Sequence, residues 1–72
     1  MDHRTIFKER LRSLRKESGE TQVQSAEGIG IKARHYQKFE AGDVLPGYEN
    51  LWAIADHFGV SVDYLMGRTN QR

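Results

Sequence analysis

Residues 21–42 read TQVQSAEGIGIKARHYQKFEAG and predict two short helices joined by a tight glycine turn. The first four residues have the Ser/Thr-x-x-Glu/Gln form of a capping box, in which the cap hydroxyl and the third-position side chain satisfy each other's backbone donors. We expect this helix to run to about Glu27, because Gly28-Ile29-Gly30 follows and glycine favours turns over helix interiors. A second helix over Lys32 to Ala41 ends at Gly42. Helices joined so closely pack at a steep angle, which leaves the outer face of the second helix projecting from the domain.

Apolar residues on both sides of this stretch predict three further helices. Spacing at i, i+4 and i+7 predicts a helix over residues 5–17 with Thr5 as its N-cap. Apolar residues from Leu51 to Phe58 repeat in the same way and predict a fourth helix with Glu49 in its first turn. Ser61 is expected to cap a last short helix that runs through Met66. No alternating run of β-branched residues predicts a strand. The fold class is therefore expected to be all-α, with residues 69–72 as a frayed tail.

Length and composition narrow the possible functions. The chain has 72 residues and no cysteine, which predicts one domain, 1–72, with a folded core at about 5–67 and no thiolate chemistry. The histidines lack metal-ligand spacing and no nucleophile is paired with a base, so we expect no metal, no cofactor and no enzymatic activity. No apolar run approaches the ~18 residues of a membrane span, and no signal peptide opens the chain. We therefore expect a cytoplasmic protein without a membrane partner.

The net charge of +1 hides an uneven distribution of charge. Residues 1–38 carry nine Lys and Arg and five acidic residues, a net charge of +4. Residues 39–72 carry two Arg and five acidic residues, a net charge of −3. Cations gathered in one half raise the local potential, which makes that half a candidate binder of polyanions. The alternative is a surface of salt bridges that meets no partner.

The outer face of the helix over residues 32–41 has side chains suited to reading DNA. It carries no acid and no large apolar residue, and its members are cationic, amide-bearing or small: Lys32, Ala33, Arg34, Gln37 and Lys38. An α-helix fits the major groove of B-DNA, where Arg and Lys bond guanine and Gln pairs with adenine. This face therefore predicts double-stranded DNA as a partner.

Many residues outside this face follow the pattern of one known family. They are Leu11, Leu14-Arg15, Thr21-Gln22, Ala26, Gly30-Ile31, Glu40, Gly42, Pro46, Leu51, Ile54-Ala55, Phe58 to Ser61 and Asp63 to Thr69. On these residues the chain resembles the Cro/CI-type helix-turn-helix domain of the XRE family, from Phe7 to Gly67. The resemblance implies a five-helix, lambda-repressor-like bundle that dimerises on operator DNA and regulates transcription. We expect a repressor.

The resemblance also implies which residues meet DNA. The family's DNA-facing positions are occupied here by Gln22, Lys32, Ala33, Arg34, Gln37 and Lys38. Arg34 and Gln37 are expected at base edges, and Gln22 and Lys32 at phosphates. The cations of the first helix either form a solvated face or contact flanking phosphates, for instance through Arg12 or Arg15.

This sequence departs from the family pattern at several positions. Ser25 replaces the usual leucine, and Tyr36 and Phe39 stand where smaller aliphatic residues are usual. We interpret the two aromatic residues as filling the space that Ser25 leaves. In the family the stretch over residues 42–47 approaches the DNA backbone, but here it carries Asp43 and no basic residue.

Trp52 lies beside the apolar stripe of the fourth helix without belonging to it. It is either a partly buried cover residue or a dimer contact, since aromatic residues at the edge of a stripe often anchor interfaces. The family's dimer face points to Trp52, Val62, Tyr64 and Met66 as candidate interface residues. An alternative function is a protein-interaction module, such as the antitoxin of a toxin-antitoxin pair, with a binding face centred on Trp52 and Tyr64.

Overall fold

The computed structural model describes residues 2–72, which form helices α1 to α5 and contain no strand. The helices span His3–Glu17, Gln22–Ile29, Ala33–Ala41, Tyr48–Phe58 and Val62–Leu65. The predicted all-α fold with five helices is confirmed. None of these helices combines the length and the apolarity needed to cross a membrane.

The start of α1 differs from the prediction. Asp2 is the N-cap, and its Oδ1 accepts the backbone N–H groups of Arg4 at 2.9 Å and Thr5 at 3.0 Å. Thr5 therefore lies inside the first turn, and the prediction that it caps the helix was wrong. A carboxylate accepts these donors and also complements the positive end of the helix dipole, which explains why the N-cap lies three residues before the predicted one.

The α2 helix begins as predicted and ends later. Thr21 Oγ1 accepts the Gln24 N–H at 3.1 Å, and Gln24 Oε1 accepts the Thr21 N–H at 2.9 Å, so the capping box is confirmed. Gly28 was predicted to lie in the turn, but it is helical, and the left-handed residue that ends the helix is Gly30 at φ 94°. The ring of His57 occupies the space where a side chain at position 28 would stand, so this helical position admits only glycine without a shift of that ring.

The core lies between α1 and the four shorter helices. Its buried apolar residues are Phe7, Leu11, Leu14, Ala26, Tyr36, Phe39, Ile54, Ala55 and Leu65. Tyr36 and Ser25 are fully buried and Phe39 is 4% exposed, as expected if the aromatic residues fill the volume beside a small residue in α2. Because Tyr36 and Phe39 point inward from α3, the opposite face of that helix is turned to solvent.

The end of the chain is ordered against the bundle, and the prediction of a frayed tail was wrong. Arg10 of α1 donates to the carbonyl oxygen of Thr69 at 2.6 Å and to that of Tyr64. The N–H of Ser61 donates to the carbonyl oxygen of Arg72 at 2.8 Å, and the Arg72 guanidinium pairs with Glu17. These contacts hold the last five residues along α1 and the start of α5.

Candidate nucleic-acid interface

The outer face of α3 presents the side chains that were predicted to read DNA. Lys32, Arg34, Gln37 and Lys38 are exposed, while Ala33 is half-buried and packs against the edge of the core. The ion pairs among residues 2–72 are Arg15–Glu40, His57–Glu20 and Arg72–Glu17, so none of them uses a cation of α3. Its cations therefore keep their full charge available to a polyanion.

The start of α3 has no side-chain cap. Lys32 occupies the N-cap position in extended backbone and its side chain accepts no hydrogen bond from the helix. The first backbone N–H groups of α3 consequently face solvent beside a lysine, a combination of donors and charge that favours a phosphate oxygen. His35 is also exposed on this helix, one residue beyond Arg34.

A buried ion pair joins α1 to α3. Arg15 donates through Nε to Glu40 Oε2 at 2.9 Å and through Nη2 to Glu40 Oε1 at 2.8 Å, while Nη1 donates to the Glu20 carbonyl oxygen at 3.1 Å. The Glu40 side chain is 5% exposed and that of Arg15 is 16% exposed. All three donor nitrogens of Arg15 are thus engaged inside the protein. The structure contradicts the suggestion that Arg15 reaches a flanking phosphate, because a buried carboxylate holds it.

Gln22 belongs to the same network. It is half-buried at the first position of α2, and its Nε2 donates to Glu40 Oε1 at 3.4 Å. The network therefore sets the position of the α2 N-terminus relative to α3. Only the tertiary structure brings Gln22 and Glu40 together, since 18 positions separate them.

The charge on Glu40 results from two opposing effects. Burial is the largest single effect and raises the pKa of this carboxyl. The hydrogen bonds and charge of Arg15, with the neighbouring Tyr36 hydroxyl and Gln22 amide, together outweigh burial and hold the pKa below its ordinary value. The hydroxyl of Tyr36 is buried beside this pair and makes no hydrogen bond to a described residue. Burial and the neighbouring Glu40 raise the pKa of Tyr36 above its ordinary value, so the phenol stays neutral.

A second cluster, the His57 clasp, is formed by His57, Glu20, Ser25 and Gly28. His57 Nε2 lies 2.8 Å and 3.1 Å from the two carboxylate oxygens of Glu20, and Ser25 Oγ donates to Glu20 Oε1 at 2.7 Å. The bond to His57, followed by that from Ser25, lowers the pKa of Glu20. The clasp ties α2 to α4 across the bare backbone of Gly28. Sequence analysis assigned His57 no role and missed this one; the available signal was Gly28, since a glycine within a helix can mark a close approach of another group.

The candidate dimer residues fall on more than one surface. Trp52 is 56% exposed, beside Tyr48 at 77%, and their ring centroids are 6.2 Å apart. Trp52 and Val62 line one groove of about 350 Å³. Tyr64 lines a different groove with Arg10, whose guanidinium carbon lies 4.1 Å from the centre of the Tyr64 ring. Met66 is half-buried against the core. The structure therefore brings together Trp52 and Val62 but not Tyr64.

These helices define the class of protein. A family model described as helix-turn-helix matches residues 11–65, which contain both α2 and α3. The chain belongs to this helix-turn-helix family, and its resemblance to the Cro/CI-type regulators of the XRE family is confirmed.

Individual relatives are described as transcriptional regulators. The cryptic phage CTXphi transcriptional repressor RstR of Vibrio cholerae is 49% identical over 62 residues, which are 86% of this chain and 55% of that protein. The uncharacterised HTH-type transcriptional regulator YobD of Bacillus subtilis is 40% identical over 65 residues, which are 90% of this chain and 58% of that protein. The chain thus spans little more than half the length of these relatives.

A solved structure supports the fold. The solution structure of the SOS-response transcriptional repressor LexA from Eubacterium rectale matches with a TM-score of 0.84 and 28% identity. The match covers 89% of this chain and 68% of that chain. Because the match covers most of the chain, the two proteins share the arrangement of the whole helical bundle and not only the two helices of the helix-turn-helix.

Proposed function

We propose that this protein is a cytoplasmic, sequence-specific double-stranded DNA-binding regulator of transcription, acting as a repressor. The observation that carries the proposal is the outer face of α3, where Lys32, Arg34, Gln37 and Lys38 are exposed and none belongs to an ion pair among residues 2–72. Membership of the helix-turn-helix family and similarity to a transcriptional repressor of Vibrio cholerae support it.

In this proposal α3 enters the major groove. Arg34 and Gln37 bond base edges, Ala33 meets a thymine methyl group at the margin of the helix, and Lys38 is shared between base and backbone. Lys32 binds a phosphate together with the uncapped N–H groups of α3. Gln22 binds a second phosphate from the start of α2, and its bond to Glu40 orients the side chain for that contact.

We further propose that two copies bind a two-fold symmetric operator, with half-sites about 10 bp apart so that each α3 enters a successive major groove. Trp52 and Val62 are suited to the dimer contact, because they are exposed or half-exposed apolar residues that share one groove. Tyr64 and Met66 are half-buried on α5 and at its C-cap, outside this groove, and we propose them as a separate part of the dimer contact.

The decisive experiment selects bound duplexes from a random pool and then measures affinity on the selected site and on a scrambled one, at several salt concentrations. Arg34→Ala is expected to weaken the selected site by ~1 to 3 kcal/mol and to relax preference at one base position. Lys32→Ala is expected to weaken both duplexes alike and to lower the salt slope by about 1.

The matched control is Arg68→Ala, which removes an exposed cation after α5 and is expected to leave both quantities unchanged. Selection of no common sequence, or binding that does not weaken as salt rises, would refute the proposal.

The exposed Tyr48–Trp52 pair favours one alternative, a protein-interaction module such as an antitoxin that binds its partner through this apolar surface. A stoichiometric complex with a second protein, lost in Trp52→Ala and formed by a chain that binds no DNA, would favour this alternative. If the Trp52→Ala variant is monomeric in sedimentation but still binds half-sites, Trp52 instead belongs to the dimer interface.

A further inference from the structure

The C-terminal end of α3 lies against two cations of α1. The stem of Lys8 crosses the backbone of Gly42, so close that a Cβ on that glycine would stand 2.8 Å from Lys8 Cδ and 3.7 Å from Lys8 Nζ. A groove of about 330 Å³ beside it is lined by Lys8, Glu9, Arg12, Glu40 and Ala41. Lys8 and Arg12 are four residues apart, so they share one face of α1.

The charges in this groove leave it basic. Glu40 is neutralised by Arg15, and neither Lys8 nor Arg12 belongs to any of the ion pairs of residues 2–72. Glu9 is the other acid in the lining, which leaves two free cations against one free carboxylate. Arg12 is exposed, and Lys8 is half-buried through the stem that covers Gly42.

The loop that follows α3 lacks any such charge. Residues 43–47 carry Asp43 and no Lys or Arg, and the Asp43 N–H folds back onto the Lys38 carbonyl oxygen at 3.0 Å. Lys8 and Arg12 are therefore the free cations that line the groove at the end of α3.

The length of α3 brings this end close to the DNA backbone. The helix has nine residues and is about 13 Å long, and the major groove is about 12 Å wide. A helix of this length that lies obliquely across the groove ends near one of the two bounding strands. The phosphates of that strand then face the side chains packed around Ala41 and Gly42.

We propose that Lys8 and Arg12 form a second phosphate-binding site, which contacts the DNA backbone flanking the bases read by α3 and replaces the cations absent from the following loop. This inference rests on the proposed function. In this proposal α1 increases the affinity for DNA but does not affect which bases are preferred.

The test is a salt titration of the full chain and of the variant Lys8→Gln/Arg12→Gln, on the selected duplex and on a scrambled one. Each lost phosphate contact lowers the slope of log K against log salt by about 0.9. If both contacts are lost, raising the salt from 50 to 200 mM weakens binding by the variant about 12-fold less than it weakens binding by the parent. Both duplexes should respond alike, so that the preference for the selected site is unchanged.

Two controls separate charge from folding. Lys8→Arg/Arg12→Lys keeps both charges and is expected to retain the parent slope, whereas Arg68→Gln removes a cation elsewhere and should also leave the slope unchanged. Thermal unfolding of every variant identifies a loss that comes from the fold alone.

The outcomes separate this inference from the proposed function. If the parent binds with a steep salt slope and Lys8→Gln/Arg12→Gln keeps that slope, the second phosphate site is wrong while DNA binding stands. The proposed phosphate site is also wrong if the variant keeps the parent salt slope and loses only thermal stability, or only its preference for the selected sequence. If the parent shows no salt-dependent binding, the proposed function itself fails.

Discussion

Replacing Gly28 by alanine tests whether the His57 clasp or helix propensity decides stability at this position. Propensity alone predicts that alanine in the interior of α2 stabilises the helix by about 1 kcal/mol. In the structure, however, the new Cβ would lie 2.7 Å from His57 Nδ1 and closer still to Cε1. The ring must move, and its bond to Glu20 at 2.8 Å is then lost.

The magnitude follows from these two effects. A hydrogen bond to a charged group contributes ~1.5 to 3 kcal/mol, and we take the middle of this range because His57 and Glu20 are 17% and 28% exposed. Subtracting the propensity gain of about 1 kcal/mol leaves Gly28→Ala about 1 kcal/mol less stable than the parent. For so small a domain this lowers Tm by ~4 to 8 °C.

The control is the same substitution in a His57→Ala background. There the space beside Gly28 is open, so alanine is expected to stabilise by about 1 kcal/mol, and the two positions should couple by about 2 kcal/mol in a double-mutant cycle. Urea and thermal unfolding followed by circular dichroism measure all four chains. A Gly28→Ala chain more stable than the parent, or an equal effect in both backgrounds, would show that the ring does not constrain this position.

Three other perturbations test the α1–α3 pair. Glu40→Gln leaves Arg15 partly buried without its counter-charge and should cost ~2 to 4 kcal/mol in urea unfolding, whereas an effect below 1 kcal/mol would mean that the pair contributes little. Tyr36→Phe removes a buried hydroxyl without a hydrogen bond, so stability should be unchanged or rise by up to about 1 kcal/mol, and a clear loss would reveal a bond to that hydroxyl. The folded chain holds the pKa of Glu40 and of Glu20 below their ordinary values, so the unfolded chain binds more protons on acidification. Tm should therefore be constant above about pH 5 and fall below it, and less steeply in Glu40→Gln; a Tm that rises on acidification would contradict the pKa directions.

Local chemistry made much of the fold predictable from the sequence. The capping box at Thr21 depends on groups three residues apart, and the inward positions of Tyr36 and Phe39 follow from helical spacing. The exposed face of α3 followed for the same reason, since a helix that buries one side presents the other to solvent.

The tail was mispredicted because its partners are distant in sequence. Residues 69–72 are polar and carry no helical pattern, which is typical of a frayed end. Arg10 nevertheless donates to the Thr69 carbonyl oxygen across 59 positions. Whether a polar end is ordered depends on what it meets after folding, and spacing along the chain carries no such information.

Residue spacing along the chain was enough to predict the five helices, the core stripes and the side chains turned outward on α3, because these depend on residues within one or two helical turns of each other. Tertiary structure alone decided which charges are free. It paired Arg15 with Glu40, left Arg12 and Lys8 open beside Gly42, and placed His57 over Gly28. The physical reason is that an ion pair or a close backbone approach requires groups from different helices at about 3 Å, and only the packing of those helices sets that distance.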